Sequence, residues 1–432
     1  MTEALEGNPL QRNILTVMLF IAIVVLFQRR REFFSLLRVN APILLFFGYC
    51  AVSTLWSDFT DVSFKRWIKA LGDPLMVMIV LTDPVPSHAV KRFLAWTGFL
   101  LVPVSVLLIR YYPLMGRAYR NIDGKIMFTG VASDKNMLGA ISLLFGLGAV
   151  WRILHWLQER HPRSIRSLMV YGSVVLMVLW LLRKANSATS LACFVLASVV
   201  LVVTSIPVLA RCRAIVHLVV VMVLAVSTIA LFFDAGGGMV QTLGRDATLT
   251  GRTDLWDEII PMNGDPFLGT GFESFWMGSR LEKIWSLHWW HPNEAHNGYI
   301  EVFLNLGWTG LSLLAIVAVT GYRNALNKLR WDPELGGISV AFFVVGMTYS
   351  CTEAGFRMLN PVWICFLLAA IAVPKSRLLQ TSAATDSRET AATPVPQLAE
   401  ALSYPRSTTY MDTSQLRYVW SIDPRTSHKT EL

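Results

Sequence analysis

One stretch of the chain concentrates side chains able to do acid–base or metal chemistry: His288-Trp289-Trp290-His291-Pro292-Asn293-Glu294-Ala295-His296, followed by Asn297-Gly298-Tyr299-Ile300. Three imidazoles and a carboxylate could bind zinc. Their spacings match no helical ligand signature, however, and two tryptophans interrupt them, so no metal is assigned and the stretch reads as interfacial aromatics and a sugar-stacking surface. His296 stands apart because an apolar helical pattern begins right after it. On 3.6-residue spacing His296, Ile300, Phe303 and Gly307 share one face, and Gly307 and Gly310 allow close helix approach. A histidine in a first helical turn feels the positive dipole end, which lowers its pKa and favours neutral imidazole, a general base toward a hydroxyl. The plainer reading is an interfacial histidine capping a membrane helix.

The elements that must hold these residues follow from composition. Of 432 residues, 54% are hydrophobic and 16% charged, with a mean hydropathy of +0.48, which makes a membrane protein the default and a soluble single core improbable. The formal charge of +9, from 38 Lys+Arg against 29 Asp+Glu, is distributed between apolar runs and covers no single polar face, which argues against nucleic acid. Cys50, Cys193, Cys212, Cys351 and Cys365 show no C-x-x-C spacing and read as small buried hydrophobes.

A bilayer core of about 30 Å takes roughly 20 apolar residues as a helix. Eleven runs qualify, near 13–27, 41–56, 67–82, 93–109, 137–157, 167–182, 189–210, 214–233, 297–319, 335–351 and 360–373. They are continuously apolar and not alternating, so helices and not barrel strands are expected. The fold class is therefore all-α: a polytopic helical membrane domain over 1–373 with about eleven transmembrane helices and one long extracytoplasmic loop at 234–296. A disordered cytoplasmic tail is expected over 374–432, which is Ser/Thr/Pro-rich. The first run has an acidic flank and arginines after it, so it is retained and not a signal peptide. Basic connections alternate, at Arg29 to Arg31 with Arg38, at Lys91-Arg92, at Arg160, Arg163 and Arg166, at Arg211 and Arg213, and at Arg323, Lys328 and Arg330. They place the N-terminus outside and the C-terminus inside. His155 and His217 near the inner face read as structural. Asp73, beside Pro74 in the third run, is either a boundary residue or a functional intramembrane acid.

The opposite face also carries cations: Arg110, Arg117, Arg120, Lys125 and Lys135 in one connection, Arg183 and Lys184, Arg245, Arg252 and Arg280 in the long loop, and Arg357. Each alone reads as a solvated side chain. Together they suit an anionic lipid headgroup or pyrophosphate, which arginine meets with paired charge-assisted hydrogen bonds.

Five motifs carry a resemblance across roughly residues 50–370. They are Leu55-Trp56-Ser57-Asp58, Gly130 to Gly139 with Lys135-Asn136, Gly251-Arg252-Thr253-Asp254-Leu255-Trp256, the turn Gly269-Thr270-Gly271-Phe272-Glu273-Ser274-Phe275, and His296-Asn297 through Gly307 and Gly310. In this order they resemble the O-antigen ligase superfamily of bacterial membrane glycosyltransferases, which includes O-antigen ligases, Wzy-type polymerases and exopolysaccharide-production proteins. The chain departs from that pattern at Asn186-Ser187-Ala188-Thr189, where relatives often carry a basic residue that Arg183 or Lys184 would have to replace.

The resemblance implies a multi-pass protein of the bacterial inner membrane with about twelve spans. It implies transfer of a glycan from an undecaprenyl-diphosphate carrier to an acceptor sugar hydroxyl, with membrane lipids around it and no metal, nucleotide or other cofactor. It makes His296 the catalytic base and Arg252 the residue that neutralises the leaving diphosphate. Lys135, Arg120 and Arg357 would bind the same headgroup, with Asn136 and Asn297 beside them in the matched motifs. Trp289 and Trp290 would face sugar rings, and Glu273 or Glu294 would orient His296. Ligase and polymerase differ only in acceptor; the Gly251 and His296 motifs lean toward the exopolysaccharide branch. A transporter or flippase of lipid-linked saccharide is the alternative, against which the sequence shows no repeated halves.

Overall fold

The computed structural model describes residues 9–119, 124–158, 164–232 and 250–374. Arg120, the first part of the long loop with Arg245, and all of the expected tail except Pro374 lie outside these segments.

Each of the eleven apolar runs is helical. α1 (Pro9–Gln28) meets α2 (Arg30–Val39) at a bend of 96°. Then come α3 (Ala41–Ser53), α4 (Thr60–Ala70), α5 (Gly72–Leu81) and α6 (Pro86–Tyr111). A small antiparallel hairpin of β1 (Arg117–Tyr119) and β2 (Ile126–Phe128) pairs Arg117 with Phe128. α7 (Lys135–Gln158), α8 (Ile165–Ala185), α9 (Ala188–Ser205) and α10 (Arg213–Phe232) follow. The part of the long loop within reach contains α11 (Thr250–Ile259) and α12 (Gly278–Leu287), and the chain returns through α13 (Gly298–Trp331), α14 (Pro333–Tyr349) and α15 (Pro361–Ala370). By length and composition α6, α7, α8, α9 and α13 are candidate membrane spans, and the α1–α2 pair makes a sixth if taken as one. Among the other runs, α3, α14 and α15 are shorter apolar helices. The third is cut in two, with α4 and α5 meeting at Leu71 and Gly72-Asp73-Pro74 opening α5.

The helix ends sort into two groups. At one end, where the basic connections gather, Glu334 meets Lys91 at 2.6 Å, Arg152 at 3.3 Å and His155 at 3.4 Å. Nearby, buried Lys328 donates to the carbonyls of Leu368 and Ala369 at 2.8 and 3.0 Å, capping the negative end of α15. His217 bonds Tyr322 at 2.8 Å, a packing role like that of His155. The long loop and the starts of α7, α9, α13 and α15 lie at the other end, called the loop end below.

α13 departs from the sequence expectation. Gly307 does not serve close packing of a continuous helix; it breaks the helix, with φ 63° and ψ −166°. A side chain at Gly307 would collide with the Phe267 carbonyl group, because the segment 266–271 lies against the break. Six backbone groups around the break are bonded by the loop or by a side chain. The N–H groups of Trp308 and Thr309 donate to the carbonyls of Pro266 and Phe267. The carbonyl of Phe303 accepts from Asn263, those of Leu304 and Asn305 from Thr270 and Gly271, and that of Leu306 from the Tyr49 hydroxyl. The Gly269-Thr270-Gly271 motif is thus the partner of the Gly307 break, since a side chain at Gly269 would meet the Asn305 and Leu306 backbone at 2.5 Å.

Candidate active site

The turn after Gly271 is clasped by α3 and α4. Ser57 Oγ donates to Ser274 Oγ at 2.8 Å, Phe272 N–H donates to Ser53 Oγ at 3.1 Å, and Arg280 pairs with Asp58. Leu55-Trp56-Ser57-Asp58 is therefore a fastening for the long loop. Leu255 and Ile259 of α11 pack with Phe275, Trp276, Ile284, Ala295 and Leu304 into a core separate from that of the bundle. This core sets α11, which carries Arg252, beside the chain that enters α13.

Four chain segments meet at Glu353, in the connection between α14 and α15. Arg252 Nη2 pairs with Glu353 Oε1 at 3.2 Å, and Arg252 Nη1 donates to the Thr352 carbonyl at 2.6 Å. Asn136 Nδ2 donates to Glu353 Oε2 at 3.2 Å, and His296 Nδ1 meets the same oxygen at 3.2 Å. His296 Nδ1 also lies 3.0 Å from Glu294 Oε1, and Arg357 reaches Glu294 Oε2 at 3.5 Å and Glu273 Oε2 at 3.3 Å. The Glu353 side chain is 7% exposed, so its charge depends on these donors.

His296 is not in the first turn of α13. It precedes the cap residue Asn297 and has a left-handed backbone with φ 49°. The expected neutral imidazole is overturned with it: burial disfavours the charged form, but hydrogen bonds and charges from Glu294 and Glu353 outweigh burial and raise the pKa to about 9. Burial likewise pushes the Glu294 carboxyl up, yet the His296 bond and the charges of His296, Arg357 and Arg252 hold it below the usual range. The cluster sets His296, Arg252 and Arg357 against Glu353, Glu294 and Glu273.

The other expected residues divide. Trp290 stacks on His296 with ring centres 6.0 Å apart at 28°, while Trp289 is 69% exposed. Asn297 is engaged in capping: its Oδ1 accepts from the N–H groups of Tyr299 and Ile300, and its Nδ2 donates to the Cys351 carbonyl. Lys135 opens α7 directly before Asn136. Lys184 does not replace the missing basic residue of the α9 turn, for its ammonium sits 4.9 Å from the Phe128 ring centre; Thr189 of that turn instead bonds Thr352 at 2.8 Å. Of the two residues offered to orient His296, Glu294 does so and Glu273 pairs with Arg357. Asp73 is an anchor, accepting the Leu359 N–H at 2.9 Å and so fixing the connection that bears Glu353 and Arg357.

A metal held by three imidazoles is not what forms. His288 pairs with Glu258 at 2.8 Å and His291 lies against Trp285. Glu294, His296 and Glu353 do place one ligand atom each within 4.8 Å of one another. Both carboxylates already face arginines, with which a cation would compete. Glu353 is the residue sequence reasoning missed; its one visible signal was an acid four residues before Arg357 in a short connection between apolar helices.

Residues 168–315 match the protein family described as O-antigen ligase, about a third of the chain, including Arg252 and His296 but ending before Glu353. Together with the order of motifs, this supports the O-antigen ligase superfamily. The chain is also 25% identical over 334 residues, 70% of each protein, to "Exopolysaccharide production protein ExoQ" of Rhizobium meliloti (strain 1021). The two similarities support a multi-pass membrane protein with an O-antigen ligase or exopolysaccharide-production family role.

Proposed function

We propose that the protein is a metal-independent inner-membrane glycosyltransferase that transfers or polymerises glycan from an undecaprenyl-diphosphate carrier onto an acceptor sugar hydroxyl in surface polysaccharide biosynthesis. Exopolysaccharide is the product class that the relative's name favours. The observation that carries this reading is the convergence of Arg252, Asn136 and His296 on Glu353 at the loop end of the bundle.

In this reading Nδ1–H of His296 is held by Glu353 and Glu294, which leaves Nε2 to take the proton of the acceptor hydroxyl. The acceptor oxygen bonds to the anomeric carbon, the bond from that carbon to the diphosphate oxygen breaks, and its electron pair leaves with the diphosphate. Arg252 neutralises that leaving charge in a site where water is scarce. With a pKa of about 9, about one imidazole in a hundred is neutral at pH 7, so the carboxylates make a strong base at the expense of its population. Arg357 and Lys135 supply further charge to the headgroup, and the exposed face of Trp289 and the stacked Trp290 suit sugar rings.

The test is to incubate purified protein with a lipid-linked repeat unit, with and without a lipid A core acceptor. Lengthening of the lipid-linked glycan identifies a polymerase and transfer to the core a ligase; neither product, in protein that retains its fold, removes the reading. Activity that survives a chelator upholds metal independence, and its loss overturns that part.

A further inference from the structure

We infer that Trp256 and Glu301 are positioning residues that hold the two peptide groups flanking Ala295, one each, and so set His296 and Glu294 against Arg252. The inference rests on the catalytic reading of His296 given above. Ala295, between Glu294 and His296, is fully buried. Its carbonyl accepts from Trp256 Nε1 at 2.8 Å, and its N–H donates to Glu301 Oε1. Glu301 is 4% exposed, and its carboxylate also accepts the Trp276 indole N–H at 3.0 and 3.1 Å. A buried carboxylate is costly unless donors surround it, and the donors here are one peptide and one indole.

The two grips come from different helices. Trp256 lies one turn beyond Arg252 on α11, so both project from the same side of that helix. Glu301 lies in the first turn of α13. The two peptide groups flanking Ala295 therefore tie the arginine-bearing helix to the histidine-bearing entry into α13. The grip also accounts for the left-handed His296 backbone, a conformation that persists at a non-glycine residue only when its surroundings over-determine it. Were these peptide groups to turn, the side chains of Glu294 and His296 would be re-aimed relative to each other and to Glu353. The contacts of His296 with Glu294 at 3.0 Å and Glu353 at 3.2 Å would then be lost at once. The charged groups around that imidazole are Glu294 on its own segment, Glu353 and Arg357 from the α14–α15 connection, and Arg252 from α11.

The test uses the full-length protein in detergent with ¹⁵N-labelled histidine, the His296 signal being the one that His296→Gln removes. Trp256→Phe keeps the ring and deletes the N–H. The imidazole midpoint should fall from about 9 toward the ordinary value near 6.5. In the transfer assay at about pH 10, where the imidazole is neutral in both proteins, kcat should drop about fivefold to tenfold, the worth of one hydrogen bond, with the donor KM within about twofold. Glu301→Met, which removes the acceptor of the Ala295 N–H at similar volume, should move the midpoint the same way and guards against a folding defect in the first variant. Trp276→Phe leaves both bonds to Ala295 intact and should leave the midpoint in place. An unchanged midpoint in both Trp256→Phe and Glu301→Met overturns the inference. A lowered midpoint with undiminished transfer at about pH 10, where the base is neutral in both proteins, upholds the grip and removes the base role from His296.

Discussion

Two glutamates at opposite ends of the bundle gather the same kinds of partner. Glu334 takes Lys91, Arg152 and His155; Glu353 takes Arg252, Asn136 and His296. The backbone beneath them differs. Lys91, Arg152, His155 and Glu334 all stand on regular helices, the arginine and histidine three residues apart on one face of α7. At the other end Glu353 and His296 lie outside any helix, and all five non-glycine residues in left-handed conformations among the described residues, Asn186, Glu273, His291, His296 and Leu359, are found at that end. Charge composition alone does not separate a staple from a site. Strained backbone held by buried hydrogen bonds does, because such strain is kept only where geometry is needed.

Four changes would break or sharpen this contrast. His296→Ala should lower transfer by about a hundredfold or more, the usual worth of a general base, while membrane level stays the same; full activity would make the loop-end cluster another staple. Glu353→Gln removes the counter-charge of Arg252 and His296 together and should cost about tenfold to a hundredfold in kcat at about pH 10, where the imidazole is neutral in both proteins, with a lowered His296 midpoint by NMR. Arg252→Lys keeps the charge and loses the paired donors, so about a tenfold loss in kcat/KM is expected in the same assay. Glu334→Gln should leave transfer within about twofold and lower the melting temperature by a few degrees, as loss of a packing staple would.

The pH profile gives an independent check. Because the folded-state pKa of His296 lies above its ordinary value, transfer that needs the neutral base should rise about tenfold per pH unit up to about 9 and level off above it. The stabilising contacts of the imidazolium run the other way, full below about 6.5 and lost as pH passes about 9. A rate that falls across that window would make His296 a binding cation and not a base.

What sequence reading recovered follows from range. Apolar runs are local, and each of the eleven forms helix. Arg252 and His296 were legible because each sits in a short motif. Glu353 was not, since it lies 57 residues from His296 and 101 from Arg252, in a connection of ordinary appearance. The same distance explains the inverted pKa: from sequence His296 had only a helix dipole to consult, whereas its charge is decided by carboxylates, one of them delivered by the fold. Gly307 and Gly310 looked like packing glycines because a glycine in a helical pattern gives no sign of whether the helix survives it.

The break at Gly307 has a mechanical corollary. A spanning helix answers a thicker or thinner bilayer by tilting, and an unbroken ladder of hydrogen bonds would carry that tilt into whatever lies at its end. Here the rungs at Trp308 and Thr309 are handed to the loop, and the turn above them is sewn to Thr270, Gly271 and Tyr49. The break thus uncouples the ladder of the lower stem of α13, which Asn324 and Lys328 tie to α15, from the segment bearing His296, whose register against Arg252 and Glu353 is set by the loop.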